Sequence, residues 1–233
     1  TNFSTSVVAE IESTNEVVSF NTISENQYKH SEELNNVYWN KLQGSISANA
    51  GIAPDGTTTA DKFIPDTTAS SFHVVDTQAF GNVPSGNHTL SIHVKPDGYN
   101  FFHWRTDGFN SFFNVSTGTV ISAGSGVTAS IENAGNGYFR CIVSRNFTGG
   151  ARVSFGPTET GTSRIFTGDG TSGALLWGAQ IEAGTTASVY LPTGATSPTV
   201  GLTTVTRGVN GTTAASASSG DSIQQLPYAL SSV

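Results

Sequence analysis

The sequence predicts an all-β protein built as a jelly-roll β-sandwich. Glycine accounts for 26 of the 233 residues, and hydrophobic residues make up only 36% of the chain. Short segments of alternating apolar and polar residues are separated by clusters of Gly, Pro, Asn and Asp. These turn signals recur about every 8 to 14 residues, a spacing typical of sandwiches and jelly rolls rather than helical bundles.

The segment 175–182 is the clearest strand in the chain. A loop rich in Gly, Asp and Ser at 167–173 leads into the apolar run, which predicts a buried central strand. Pro192 ends further pairing because proline has no N–H to donate to a ladder. We expect Trp177 to be a core residue and Gln180 to hold the turn that closes the sandwich.

Other segments with strand character precede it, and together they predict roughly eight to ten core strands between residues 28 and 193. The first strand is expected around Tyr38 and Trp39. Further strands are expected at 46–50, 58–64, 72–80, 89–95, 100–105, 112–115, 119–121, 128–132, 138–143 and 151–156.

The two ends of the chain differ from this central region in composition. Residues 1–27 are polar, and their scattered apolar positions do not decide between a helix and a strand. They form either an arm ordered by a neighbouring subunit or a frayed terminus. Residues 194–233 are rich in Gly, Ser and Thr, with a hairpin signal at Asn210-Gly211. They predict a small β appendage that lacks the apolar bulk to fold alone.

Composition and charge exclude several functional classes. The net charge of −7 gives no electrostatic footprint for nucleic acid or an anionic membrane. The one cysteine, Cys141, cannot form an intramolecular disulfide, and its strand context predicts a buried, unreactive thiol. No apolar run reaches the roughly 18 residues of a membrane span, and we expect no secretory signal.

The carboxylates do not predict a catalytic site. Glu132, Glu159 and Glu182 lie in separate predicted hairpins, and a glycosidase would need two carboxylates facing each other. No nucleophile elbow, zinc-protease motif or phosphate-binding loop occurs. We therefore expect a protein that is not an enzyme and has no cofactor.

Two histidines flank the Pro96-Asp97-Gly98 turn. If 89–95 and 100–105 form a hairpin, His93 and His103 meet on one face, and Asp107 or His73 could complete a metal site. The alternative, which we favour, is polar packing between strands without a metal. Asp169 in its Gly-Asp-Gly loop is interpreted in the same way, as a turn residue rather than a calcium ligand.

Aromatic residues are densest between 99 and 113. Sugar sites combine an exposed aromatic face with polar groups, which makes Tyr99, His103, Trp104 and Asp107 a candidate glycan-binding set. The favoured alternative is that most of these rings fill the core or a subunit interface.

Several motifs together resemble a jelly-roll module of tailed-bacteriophage structural proteins, similar in fold to carbohydrate-binding modules. They are Ser31-Glu32-Glu33-Leu34-Asn35-Asn36, Trp39-Asn40-Lys41, the stretch 53–62, Ser91-Ile92-His93-Val94-Lys95, the stretch 136–141, the stretch 176–182 and Tyr190-Leu191-Pro192-Thr193. The tail at 204–215 resembles another short phage element, although Ala217 stands where that element usually has a histidine.

The resemblance implies a non-enzymatic virion protein, in a tail, a fibre or the capsid decoration, whose jelly roll serves assembly. The alternatives are a module that binds host glycan during adsorption and a depolymerase fragment. The implied partners are other virion proteins and further copies of the chain, with a trimer expected if the protein belongs to a fibre.

Overall fold

The computed structural model describes residues 7–11, 16–20, 23–76, 83–195, 200–202, 205–207 and 223–225. The chain divides into two compact units, one made of residues 1–24 and 200–233 and the other of residues 25–199. Within the described ranges every regular element is a β-strand, so the predicted all-β fold class is confirmed.

Along the chain, the described strands are β1 (Val7–Ile11), β2 (Glu16–Phe20), β3 (Ile23–Glu25), β4 (Asn40–Leu42), β5 (Gly44–Gly51), β6 (Ala60–Pro65), β7 (Ser71–Phe72), β8 (Val74–Asp76), β9 (Val83–Asp97), β10 (Phe101–Thr106), β11 (Phe109–Asn114), β12 (Thr119–Ser122), β13 (Val127–Gly135), β14 (Tyr138–Ala151), β15 (Val153–Thr158), β16 (Ile165–Phe166), β17 (Gly173–Ala183), β18 (Val200–Leu202), β19 (Val205–Arg207) and β20 (Ile223–Gln225).

The smaller unit joins the two ends of the chain. Its main sheet has the order β19-β2-β1-β20, and β18 pairs with β3. The central strand β1 pairs antiparallel with β2 and with β20, so N-terminal and C-terminal segments share one sheet. Nothing in the sequence indicates this pairing, and the arm and appendage with boundaries at 27 and 194 stay predictions.

The larger unit is a sandwich of two six-stranded sheets. Sheet I has the order β12-β11-β10-β15-β8-β4, and sheet II has the order β13-β14-β9-β17-β6-β5. Neighbouring strands within both sheets run antiparallel. The chain crosses repeatedly from one sheet to the other, as in a jelly roll.

The core lies between the two sheets because alternate residues of each strand point inward. Phe102 and Trp104 of β10 contribute from sheet I, and Leu90, Ile92 and Val94 of β9 contribute from sheet II. Cys141 is buried among them, and burial raises the pKa of its thiol, as expected for an unreactive cysteine.

The structure corrects two expectations about the strands. Strands β9 and β10 do not form a hairpin, because they belong to different sheets and the turn between them carries the chain across the sandwich. Tyr38 and Trp39 do not form the first core strand. They lie in an irregular segment before β4, where Trp39 is buried through ring contacts with Tyr28 and Phe155.

Some predictions fall on residues outside the described ranges. Part of the expected strand 72–80, the Asn210-Gly211 turn and Ala217 are among them. In the described part of the chain, no helix is long and apolar enough to cross a membrane.

Candidate functional site

The predicted central strand β17 lies inside sheet II, and the N-terminal segment of the sandwich pairs with it. Strand β6 pairs with β17 only from Ala174 to Leu176. Beyond that point residues 26–31 occupy the same edge: the Gln27 N–H donates to the Ile181 carbonyl at 2.9 Å, and the Ala179 N–H donates to the Ser31 carbonyl at 2.9 Å. The backbone groups that β6 leaves open are therefore satisfied by this segment.

Asn26 fixes that segment through hydrogen bonds from both ends of its side-chain amide. Its Nδ2 donates to the carbonyls of Ala179 at 3.0 Å and Leu191 at 2.9 Å. Its Oδ1 accepts from the N–H groups of Tyr28 at 3.1 Å and Ile181 at 3.2 Å. A fully buried amide is stable here because both its donors and its acceptor are used.

Gln180 holds the closing turn, as predicted. Its Nε2 donates to Glu182 Oε1 at 2.8 Å, and its Oε1 accepts from the Leu191 N–H at 2.8 Å. The same Glu182 oxygen accepts from the Ser188 N–H at 3.0 Å, and Arg140 Nη1 donates to the Ser188 carbonyl at 2.6 Å. Gln180, Glu182 and Arg140 belong to the motifs that carry the resemblance, and each forms hydrogen bonds within the fold.

Trp177 is buried, as predicted, but not between the sheets. It is 5% exposed and packs on the outer face of sheet II with Tyr138 and Leu175, and its ring centroid lies 4.5 Å from that of Tyr190. Tyr190 also bonds Ser31 at 2.6 Å and donates to Glu32 Oε1 at 3.1 Å. Burial is the main cause that raises the pKa of both Tyr190 and Glu32.

The four residues predicted to bind glycan do not line one surface. Trp104 is 0% exposed, and its Nε1 donates to the Cys141 carbonyl at 3.3 Å in the core. His103 is the preceding residue, so it lies on the other face of β10, and it too is buried, with Nδ1 3.0 Å from the Gly156 carbonyl. Tyr99 packs half-buried against Phe166, and only Asp107 is well exposed.

The two histidines considered for a metal site lie apart because their strands belong to different sheets. His93 is on β9 in sheet II and His103 is on β10 in sheet I. Burial lowers the pKa of His93 to about 4 and that of His103 to about 3, so both are neutral near pH 7. Among the residues that the structure describes, no group of three or more His, Cys, Asp or Glu side chains could hold a metal ion.

Asp169 is a turn residue, as predicted. Its Oδ1 accepts from the N–H groups of Thr171 at 2.8 Å and Ser172 at 2.7 Å, and its Oδ2 accepts from the Ser172 hydroxyl at 2.6 Å. These hydrogen bonds hold the pKa of the carboxyl below its usual range.

The most exposed aromatic ring in the described part of the chain is Phe109, at the tip of the β10–β11 hairpin. It is 39% exposed, and the Arg145 guanidinium lies 4.4 Å from its ring centroid. Arg145 Nη2 is also 3.5 Å from Asp107 Oδ2, and Arg145 Nη1 donates to the Thr106 carbonyl at 3.4 Å. We name Asp107, Phe109 and Arg145 the hairpin-tip site.

Turn chemistry places Phe109 at this tip. Thr106 pairs with Phe109 across a two-residue loop of Asp107 and Gly108, which have φ values of 49° and 90°. Positive φ at both loop positions is typical of a type I′ turn, and Asp-Gly is a preferred sequence for it. Sequence reasoning found Asp107 but missed Arg145, which lies on β14 in the other sheet and carries no local motif.

Comparison with known proteins leaves the family open. No protein-family profile matches the chain, and no curated protein matches it significantly. A solved CBM22-2 xylan-binding domain of Paenibacillus barcinonensis Xyn10C is 15% identical, with a TM-score of 0.41, and the match covers 68% of this chain and 99% of that domain. The CBM22-1 xylan-binding domain of the same protein is 11% identical, with a TM-score of 0.39 and coverages of 70% and 97%.

Proposed function

We propose that the chain is a non-catalytic carbohydrate-binding module and that the hairpin-tip site contacts the sugar. The observation that carries this proposal is the exposed ring of Phe109, flanked by the charged groups of Asp107 and Arg145. Aromatic rings stack on the C–H faces of pyranoses, while carboxylates and guanidinium groups bond the hydroxyls.

The hairpin-tip site is held in place before any ligand arrives. Arg145 contacts the Phe109 ring, the Asp107 carboxylate and the Thr106 carbonyl, and its side chain is only 15% exposed. The Asp107 N–H donates to the Arg152 carbonyl at 3.2 Å, which ties the turn to the residue before β15. A fixed site loses little conformational entropy on binding, which favours affinity.

The charges at this site favour a neutral sugar. One carboxylate and one guanidinium balance each other locally, and the whole chain carries a net charge of −7. A polyanionic glycan would be repelled by that net charge at low salt. We therefore expect uncharged oligosaccharides as ligands.

A glycan array followed by titration calorimetry tests the proposal. Phe109→Ala removes the stacking surface, and we expect affinity for the array ligand to fall at least about tenfold. The matched control is Ile165→Ala, an apolar residue of similar exposure on β16, which should bind like the unchanged protein. Equal binding by Phe109→Ala, or no binding of any neutral sugar at millimolar concentration, would contradict the proposal.

A second candidate function is a structural role in a tailed-phage virion, in the tail, a fibre or the capsid decoration. It is supported by the contacts that the resembling motifs make with one another: Ser31 with Tyr190, and Gln180 with the segment before Pro192. These contacts show that motifs far apart in sequence stabilise the same part of the fold. Mass spectrometry and electron microscopy of intact particles test it, and absence from the particle would exclude the role.

A further inference from the structure

Among the described strands, the two six-stranded sheets have four edge strands, and three of these are short or irregular. Strand β4 has three residues, and β12 has four with a register shift at Phe112/Phe113. Strand β5 loses register with β6 between Ser47 and Gly51. Short strands and bulges are devices that keep an edge from pairing with other chains.

Strand β13 is the fourth edge, and its register shift, at Asn133/Gly135, lies at its C-terminal end. It has nine residues, and its residues 127–133 stay in unbroken antiparallel register with β14. It contains no Pro, Lys or Arg, and its one charged residue is Glu132. None of the described strands pairs with its other side. A long regular edge of this kind is a template for another strand.

We propose that β13 pairs with the β13 strand of a second copy of this chain, antiparallel and centred on Ser130. In that register Glu132 lies opposite Thr128 of the other copy, and Ile131 lies opposite Ala129. No like charges meet, and because side chains alternate along a strand, each cross-strand pair lies on one face. The edge is therefore self-complementary, as a two-fold interface requires.

Apolar residues next to β13 extend the proposed interface. Strand β12 lies beside β13, and its Val120 and Ile121 are 36% and 41% exposed. Ala129 and Ile131 pack half-buried against the core from β13 itself. Pairing of the two β13 strands would bring the β12–β13 sides of the two sandwiches together. This would remove the apolar surface from water. Sheet II, with six strands in each copy, would then continue across the dimer.

Charge substitutions at one exposed position test this register. Thr128→Glu places a carboxylate opposite Glu132 of the partner copy, while Thr128→Lys places an ammonium there. Within its own copy Thr128 lies opposite Ser144, so neither change creates a charge pair in the monomer. We expect the dimer dissociation constant, measured by sedimentation equilibrium, to rise about 3- to 10-fold for Thr128→Glu and to fall for Thr128→Lys.

The same two changes at Thr148, an exposed residue of β14, serve as the control and should leave dimerisation unaltered. Hydrogen exchange adds an independent readout, since amides of β13 that face away from β14 should become protected only at concentrations where the dimer forms. A monomer at all concentrations, a trimer, or equal effects of the two Thr128 substitutions would overturn the proposal.

Discussion

At the scale of single residues, Trp177 gives the simplest stability prediction. It is almost fully buried, and its indole N–H donates to the Thr59 hydroxyl at 3.0 Å. We expect Trp177→Ala to lower the free energy of unfolding by roughly 3–5 kcal/mol, because the residues around it cannot fill the cavity. Denaturant unfolding measures this, and Trp177→Phe, which keeps an aromatic ring, should cost clearly less. A near-neutral effect of Trp177→Ala would contradict the packing described for β17.

His93 predicts a pH dependence. Its pKa in the folded protein is about 4, below the usual value of 6.5, because burial and the nearby Arg140 disfavour the charged ring. The unfolded chain therefore binds more protons between those two values, so this residue's contribution is present above pH 6.5 and is lost as the pH falls towards 4. Each histidine of this kind changes the free energy of unfolding by up to about 1.4 kcal/mol per pH unit.

Comparison with His93→Gln isolates this contribution from that of other groups. Glu32 and Asp61 have raised pKa values, so their contributions run in the opposite direction. We expect the fall in stability between pH 6.5 and 4.5 to be smaller in His93→Gln than in the unchanged protein. Urea unfolding at several pH values measures it, and identical slopes would show that His93 titrates normally in the folded state.

At the scale of the strand, the irregularity in β17 depends on one glycine. The register between β17 and β9 shifts between Trp177 and Gln180, and Gly178 there has a φ of 66°. A Cβ at this position would lie 3.1 Å from His93 Nδ1 and from ring atoms of Tyr190. An added methyl group would therefore be strained both by the backbone conformation and by these contacts.

Gly126 offers a matched control for this strain, because its φ is 68° and a Cβ there would meet nothing within 4 Å. We expect Gly126→Ala to cost about 1–2 kcal/mol from the left-handed backbone alone. Gly178→Ala should lower the free energy of unfolding further. The difference between the two variants measures the cost of the contacts with His93 and Tyr190. Thermal unfolding of both variants checks this, and equal costs would mean that the contacts relax freely.

Sequence patterns predict individual strands better than their partners. The apolar run of β17 and its Gln180 turn were predictable, because alternation and turn residues are local signals. The placement of β9 and β10 in different sheets was not, since a Pro-Asp-Gly turn suits both a hairpin and a crossing between sheets. His103 is buried because both faces of β10 are covered in this protein, whereas simple alternation predicts one face exposed to solvent.

At the scale of the whole molecule, the larger unit should fold by itself. Residues 25–199 form a compact unit that contains both six-stranded sheets and the main core. We expect a fragment of residues 25–195 to unfold cooperatively, with a near-ultraviolet circular dichroism spectrum that shows ordered tryptophans. A fragment that starts at residue 32 is the control, because it lacks Asn26 and the segment that pairs with β17, and it should be much less stable. A fragment 25–195 without fixed tertiary structure would contradict this division.

The candidate site shows the limit of prediction at this scale. Asp107 and Phe109 are close in sequence and belong to a recognisable Asp-Gly hairpin. Arg145 reaches them only because sheets I and II meet at that end of the sandwich, and no local pattern reports such a contact. Trp104, in the segment where aromatic residues are densest, fills the core, in line with the alternative that the sequence favoured.

The pairing of residues 26–31 with β17 also bears on how the protein is made. The Thr193 N–H donates to the Ser31 hydroxyl at 2.8 Å, so groups 162 positions apart must meet before this part of the fold is complete. A chain growing from its N-terminus therefore carries segment 26–31 without its partner for most of translation. Contacts of such long range slow folding and leave strand edges open to aggregation in the meantime. A low rate of expression should accordingly give more soluble protein in heterologous production, because fewer incompletely folded chains are then present together.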